Sequence, residues 1–149
     1  MANTTSIAQH CMSAKTFVDT NVLVYAHDLD DRVKHTAARD VLRALWDDGA
    51  GVLSPQVLQE FYVNVTRKIA KPLAKSTARQ VVSAYATWCI DITAAEVAAA
   101  FAIEDAARIG FWDALIIASA AAAGAGRLLS EDLNSGQTIA GVLIENPFR

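Results

Sequence analysis

A short apolar run, Thr16-Phe17-Val18, stops at Asp19-Thr20-Asn21 and resumes as Val22 to Ala26. The first piece is too short for a helix, and its β-branched and aromatic residues suit a buried strand. Asp, Thr and Asn favour caps and turns, because their side chains hydrogen-bond nearby backbone. The second piece is consistent with the first turns of a helix. The stretch therefore predicts a strand that feeds a helix through a polar turn. Its aspartate sits at the carboxyl end of the strand, where open α/β sheets place ligands. Asp19 has two readings at this point, a plain helix cap or a carboxylate that faces a ligand.

The rest of the chain repeats the pattern. Asp31 to Asp48 has apolar residues at helical spacing and closes at Gly49. Ala50 to Leu53 reads as a strand, and Ser54-Pro55 opens a helix with serine at the cap and proline at the first position. On that helix, which runs to Ile69, Val57, Leu58, Phe61, Tyr62, Val65 and Ile69 share one face, and Glu60 stands at its edge. Lys71-Pro72 breaks the pattern, and a helix follows over 76–88. Ile90 to Ile92 reads as a short strand. Thr93-Ala94-Ala95-Glu96 is a capping box that opens an alanine-rich helix ending at Gly110. A helix from Phe111 to Ala123 is apolar nearly all round, and Gly124 and Gly126 end it. Arg127 to Leu129 and Gly141 to Ile144 are the last strands. Strand and helix alternate, which predicts a three-layer α/β/α fold around a mostly parallel sheet of four to five strands.

A length of 149 residues fits one domain, expected over residues 16–149. Residues 1–15 are polar and contain a second methionine, Met12; they read as a disordered extension or as sequence upstream of the true start, with Met1 and Met12 both open as starts. No apolar run reaches the roughly 18 residues that span a bilayer, so the expectation is no membrane and, by default, a cytoplasmic location. Cys11 and Cys89 form neither a disulfide framework nor a metal-ligand spacing. The net charge of −3 argues against nucleic-acid binding by bulk charge, though not against a local basic patch or bound metal.

Four acids stand out by position: Asp19 and Asp132 follow strands, Asp113 sits in the first turn of a buried helix, and Glu60 edges an apolar helical face. Singly, each has an ordinary reading as a cap or a solvated residue. Grouped at one rim they would repel and raise one another's pKa, and a hard divalent cation would relieve that repulsion. Such a site suits phosphodiester hydrolysis.

The segments that carry these acids are Phe17-Val18-Asp19-Thr20-Asn21-Val22-Leu23, Val57-Leu58-Gln59-Glu60-Phe61, Phe111-Trp112-Asp113-Ala114-Leu115-Ile116 and Leu129-Ser130-Glu131-Asp132-Leu133-Asn134. In order and content they resemble the four acidic motifs of PIN domains, over nearly all of residues 16–148. The compact form resembles the VapC toxins of prokaryotic toxin–antitoxin pairs. That resemblance implies a PIN-like fold and an endoribonuclease dependent on Mg²⁺ or Mn²⁺, usually a homodimer and silenced by a small antitoxin. It assigns metal ligation and water activation to Asp19, Glu60, Asp113 and Asp132. Asp19 and Asp113 are the direct ligands expected first, and Glu60 acts partly through water or positions the nucleophile. Either Glu131 or Asp132 could face the site. Asn21 and Ser130 are candidates to hydrogen-bond a ligating carboxylate or phosphate, or are plain turn residues.

RNA needs cations outside an acidic site. Arg67, Lys68 and Lys71, with Lys75 and Arg79, surround one helix break, and Arg32, Lys34, Arg39 and Arg43 lie on an earlier polar face. Tyr25, Phe61 and Trp112 are either base-stacking or core residues. Tyr62, Val65, Tyr85 and Trp88 fall on two neighbouring helices, and some of them are expected to form an exposed groove for an antitoxin helix. Other PIN-fold roles stay open: an RNA-processing nuclease, or an RNA- or partner-binding module that does not cut. A haloacid-dehalogenase-like phosphatase would want a second acid where Asn21 stands, and a dinucleotide-binding domain would want a glycine-rich turn after the first strand.

Overall fold

The protein is described by a computed structural model over residues 15–149. The expected extension, with Cys11 and Met12, lies outside the described residues, apart from Lys15, where the first strand begins.

The elements follow in the order β1 (Lys15–Val18), α1 (Thr20–Tyr25), α2 (Arg32–Asp48), β2 (Gly51–Val52), α3 (Pro55–Val63), a π-helical segment (Asn64–Lys68), α4 (Lys75–Tyr85), a 3₁₀ turn (Ala86–Trp88), α5 (Ala94–Ala107), α6 (Phe111–Ala122), β3 (Ala125–Leu129), β4 (Thr138–Ile139) and β5 (Val142–Glu145). The five strands form one sheet in the order β2-β1-β3-β5-β4. All pairs are parallel except the β4–β5 hairpin. The sheet is thus mostly parallel, as the alternation of elements predicts.

Thr16, Phe17 and Val18 are all buried. Successive residues of a strand point to opposite faces, so this run requires cover on both sides of β1. The chain leaves β1, builds β2 on one side, and returns to build β3 on the other. A crevice opens beyond the carboxyl ends of strands at such a reversal. The fold therefore sets Asp19 at the switch point.

Several local outcomes differ from the sequence expectations. Ile90 to Ile92 is not a strand. The chain there makes one parallel bridge, Leu53 with Cys89, and then enters the capping box at Thr93. With β2 only two residues long, there is no ladder to extend. The helix that was expected to run to Ile69 widens into π geometry after Val63, and the Ile69 N–H donates to the Asn64 carbonyl. Gly110 does not end α5: Arg108 takes the left-handed position at φ 54°, and Gly110 caps α6 in an extended conformation. Ser54 stands at the cap of α3, but its buried hydroxyl makes no hydrogen bond. The last strand acquires a partner, β4, through a two-residue turn in which Ala140 and Gly141 both have positive φ.

Of the four groove candidates, Tyr85 and Trp88 line an open groove of about 510 Å³ with Ala26, Arg39, Leu42 and Trp46. Val65 and Trp88 are buried, and all four belong to the main core or pack against it. Trp88 also stacks near Tyr85 and Trp46. Among the described residues, no helix is long and apolar enough to cross a membrane.

Trp88 packs so closely on β2 that a Cβ at Gly51 would lie 2.7 Å from its indole ring. Gly51→Ala is expected to cost about 1–3 kcal/mol, by analogy with other overpacked cores. Chemical denaturation measures the loss, and Trp88→Leu in the same chain should recover part of it.

Candidate functional site

β1 and β3 run side by side with Val18 opposite Leu129. The Asp19 N–H donates to the Leu129 carbonyl at 3.0 Å. This register carries Asp19 and residues 130–132 to the same rim of the sheet. Asp19 is the N-cap of α1, and its Oδ1 accepts from the Thr20 N–H at 2.7 Å. Its Oδ2 accepts from the Ser130 hydroxyl at 2.8 Å. The residue is therefore a helix cap and a rim carboxylate at once. Only 6% of it is exposed. Burial pushes its pKa up to about 6; the Ser130 and Thr20 bonds oppose the shift, while the charges of Asp132 and Glu60 add to it.

Ser130 and Asn21 tie the rim together. The Ser130 Oγ also accepts from the Asp132 N–H at 3.1 Å. Asn21 Nδ2 donates to Asp132 Oδ2 at 3.1 Å, with longer contacts of 3.4 Å to Asp19 and 3.5 Å to Ser130. Asn21 Oδ1 accepts from the Glu131 N–H at 3.2 Å. One amide thus spans the turn after β1 and the loop after β3. Of the two adjacent acids, Asp132 joins this group, and the Glu131 carboxylate pairs with Lys34 of α2.

Glu60 arrives from α3. Thr20 donates to its Oε2 at 2.7 Å, and Gln56, one turn earlier, donates to its Oε1 at 3.1 Å. Asp113 enters in the first turn of α6 and is half-buried. Its pKa is raised, first by burial and then by the charges of Asp132 and Glu60. All four acids therefore act within one electrostatic field. A cleft of about 380 Å³ is lined by Asn21, Tyr25, Asp28, Glu60, Glu131 and Asp132 among others.

Among the described residues, no three His, Cys, Asp or Glu side chains are gathered closely enough to enclose an ion as they stand. Hydrogen bonds hold them apart: Thr20 and Gln56 fix Glu60, and Asn21 fixes Asp132. The donor chemistry still fits a hard divalent cation, since every candidate ligand is a carboxylate oxygen. The pKa of Asp19 is raised by desolvation first and by the charges of Asp132 and Glu60 after it, and such an ion would offset both.

Arg67 and Lys68, both exposed, end the π segment that begins at Asn64, a residue of the cleft wall. Lys71 lines a neighbouring cavity of about 390 Å³ with Arg32 and Asp28, and Asp28 also lines the acidic cleft. Of the three aromatic residues, Phe61 is fully buried, Tyr25 forms part of the cleft wall, and Trp112 is 64% exposed. Thr20, Gln56, Lys34 and Tyr25 were not singled out from the sequence as parts of the acidic site. Thr20 and Lys34 meet partners 40 and 97 residues away, and no local pattern signals that.

The PIN domain family profile matches residues 16–137, most of the chain. The chain belongs to the PIN-domain family. The PIN domain is similar to a chain in a "Toxin-antitoxin complex from Klebsiella pneumoniae", with a TM-score of 0.65 and 19% identity, over 89% of this chain and 98% of that one. It is also similar to a chain in the "Crystal structure of VapBC2 from Rickettsia felis bound to a DNA fragment from their promoter", with a TM-score of 0.64 and 20% identity, over 88% of this chain and 97% of that one. At these identities the likeness establishes the fold. No curated protein sequence matches the chain.

The folded state raises the pKa of Asp19 from 3.8 to about 6, so it binds the proton more tightly than the unfolded chain does. Stability in the absence of metal is therefore lost as pH rises between those values, by on the order of 3 kcal/mol. Asp19→Asn keeps an oxygen for the Thr20 N–H and removes the charge. At pH 8 without metal it is expected to melt higher by about 5 °C or more, with the gain vanishing near pH 4. Calorimetry across that range tests both the size and the sign.

Proposed function

We propose that this PIN domain is a metal-dependent endoribonuclease and the toxin of a type II toxin–antitoxin pair. The observation that carries the reading is the rim group: Asp19, buried and charged at the switch point, joined through Ser130 and Asn21 to Asp132 and through Thr20 to Glu60. A group that costly to bury is explained by a cation that neutralises it. Membership of a nuclease family and the two toxin–antitoxin neighbours support the same reading.

In this reading Mg²⁺ or Mn²⁺ is held by Asp19, Glu60, Asp113 and Asp132. When bound, the ion supplies a water of lowered pKa and positive charge opposite the phosphoryl oxygens. Asn21 and Ser130 orient the two rim aspartates, and an ion would draw the acids together against those hydrogen bonds. Thr20 and Gln56 aim Glu60 at the cleft, where it orients the attacking water. Arg67, Lys68 and Lys71 bind backbone phosphates beside the cleft and keep the substrate's charge from being repelled by the acids. A small antitoxin protein silences the enzyme, and the protein works as a homodimer in the cytoplasm.

Purified protein with Mn²⁺ is expected to cut a mixed RNA pool. Chelation or Asp19→Asn should reduce the rate by at least about a hundredfold, the scale of losing a positioned catalytic group. Cleavage that survives Asp19→Asn rules out the assigned site, and folded protein that cuts no RNA class rules out the nuclease. In the Asp19→Asn background, Lys68→Ala with Lys71→Ala should weaken single-stranded RNA binding and shallow its log–log salt dependence by about 1.4, or roughly 0.7 for each phosphate contact. An unchanged slope removes these lysines from the interface.

A further inference from the structure

Glu131 shares the wall of the acidic cleft with Asp28, Glu60 and Asp132, and it is not free. The Lys34 ammonium pairs with it and also donates to the Tyr25 hydroxyl at 3.3 Å. The same ammonium lies 4.9 Å from the centre of the Tyr25 ring and 5.8 Å from that of Phe148. Tyr25 and Phe148 meet edge to face at 5.0 Å. Lys34 is thus seated beside a pair of touching rings, and the carboxylate it holds belongs to the loop that presents Asp132. The Glu131 N–H is held separately, by Asn21.

We infer that Lys34 is a positioning residue that keeps the Glu131 carboxylate out of the cation site, so that four acids and not five supply ligands there. This rests on the metal-dependent reading above. A fifth carboxylate would bind a cation more tightly and would take a coordination position otherwise left to water. For an ion that acts through its bound water, tighter binding of that kind is a loss.

The test is a double-mutant cycle read by Mn²⁺ binding and by the relaxivity of solvent water protons, which reports the waters left on the ion. Lys34→Met keeps the aliphatic stem and removes the charge. It is expected to tighten Mn²⁺ binding about tenfold, in line with the dependence of affinity on ligand charge count. It should also lower relaxivity and slow cleavage. Glu131→Gln alone should change affinity less than about twofold, whereas in the Lys34→Met background it should restore wild-type affinity, relaxivity and rate. Lys34→Arg should behave as wild type. A general electrostatic effect of Lys34 would instead be additive, with Glu131→Gln weakening binding equally in both backgrounds and relaxivity constant. That result, or an unchanged Mn²⁺ affinity in Lys34→Met, overturns the inference and leaves the nuclease reading intact. A wild-type protein that binds no Mn²⁺ overturns both.

Discussion

Everything at the rim depends on a carboxylate buried where a carboxylate is costly. Asp19 directly follows β1, is almost fully enclosed, and stands near two other acids. Its neighbours compensate only in part. Thr20 N–H and the Ser130 hydroxyl each satisfy one oxygen, and hydrogen bonds to the charged form offset some of the desolvation. The register of β1 against β3 makes that arrangement possible, since it brings Ser130 level with Asp19. Sheet pairing, helix capping and electrostatics meet in one side chain.

The supports around the acids come from several elements. Thr20 opens α1 and reaches Glu60 on α3. Asn21, one residue on, reaches the loop after β3. Lys34 of α2 holds that loop from its other side. Adjacent residues of one short helix therefore connect distant parts of the chain, and the cleft is framed by contacts across the fold. Hydrogen bonds of this kind fix carboxylate geometry more firmly than a flexible loop would.

The sequence made the scaffold legible wherever local periodicity decided the outcome. β1, the amphipathic α2, the capping box at Thr93 and the apolar α6 all appear near their expected positions. The buried stripe of Val57, Phe61 and Val65 also follows helical spacing. What escaped depends on partners. Ile90 to Ile92 has strand composition but no ladder to join. Val65, a groove candidate by its helical spacing, is claimed by the core. The acids could be placed at strand ends and helix edges from pattern alone. Some of the bonds that orient them are local, as from Gln56 to Glu60, but those from Thr20 to Glu60 and from Ser130 to Asp19 span 40 and 111 positions, and nothing local encodes those distances.

The π segment after Glu60 has a consequence for how such a cleft can diversify. A π turn carries one more residue than an α turn, so it sets the rotational phase of whatever follows it around the helix axis. Here Arg67 and Lys68 are the last two residues of the segment, while Glu60 precedes it. Deleting a single residue between Asn64 and Lys68 would restore α geometry and swing the cationic rim around a fixed acid. The angular offset between charge that attracts a substrate and charge that reacts with it is thus governed by chain length in one turn, independently of the identity of any acid.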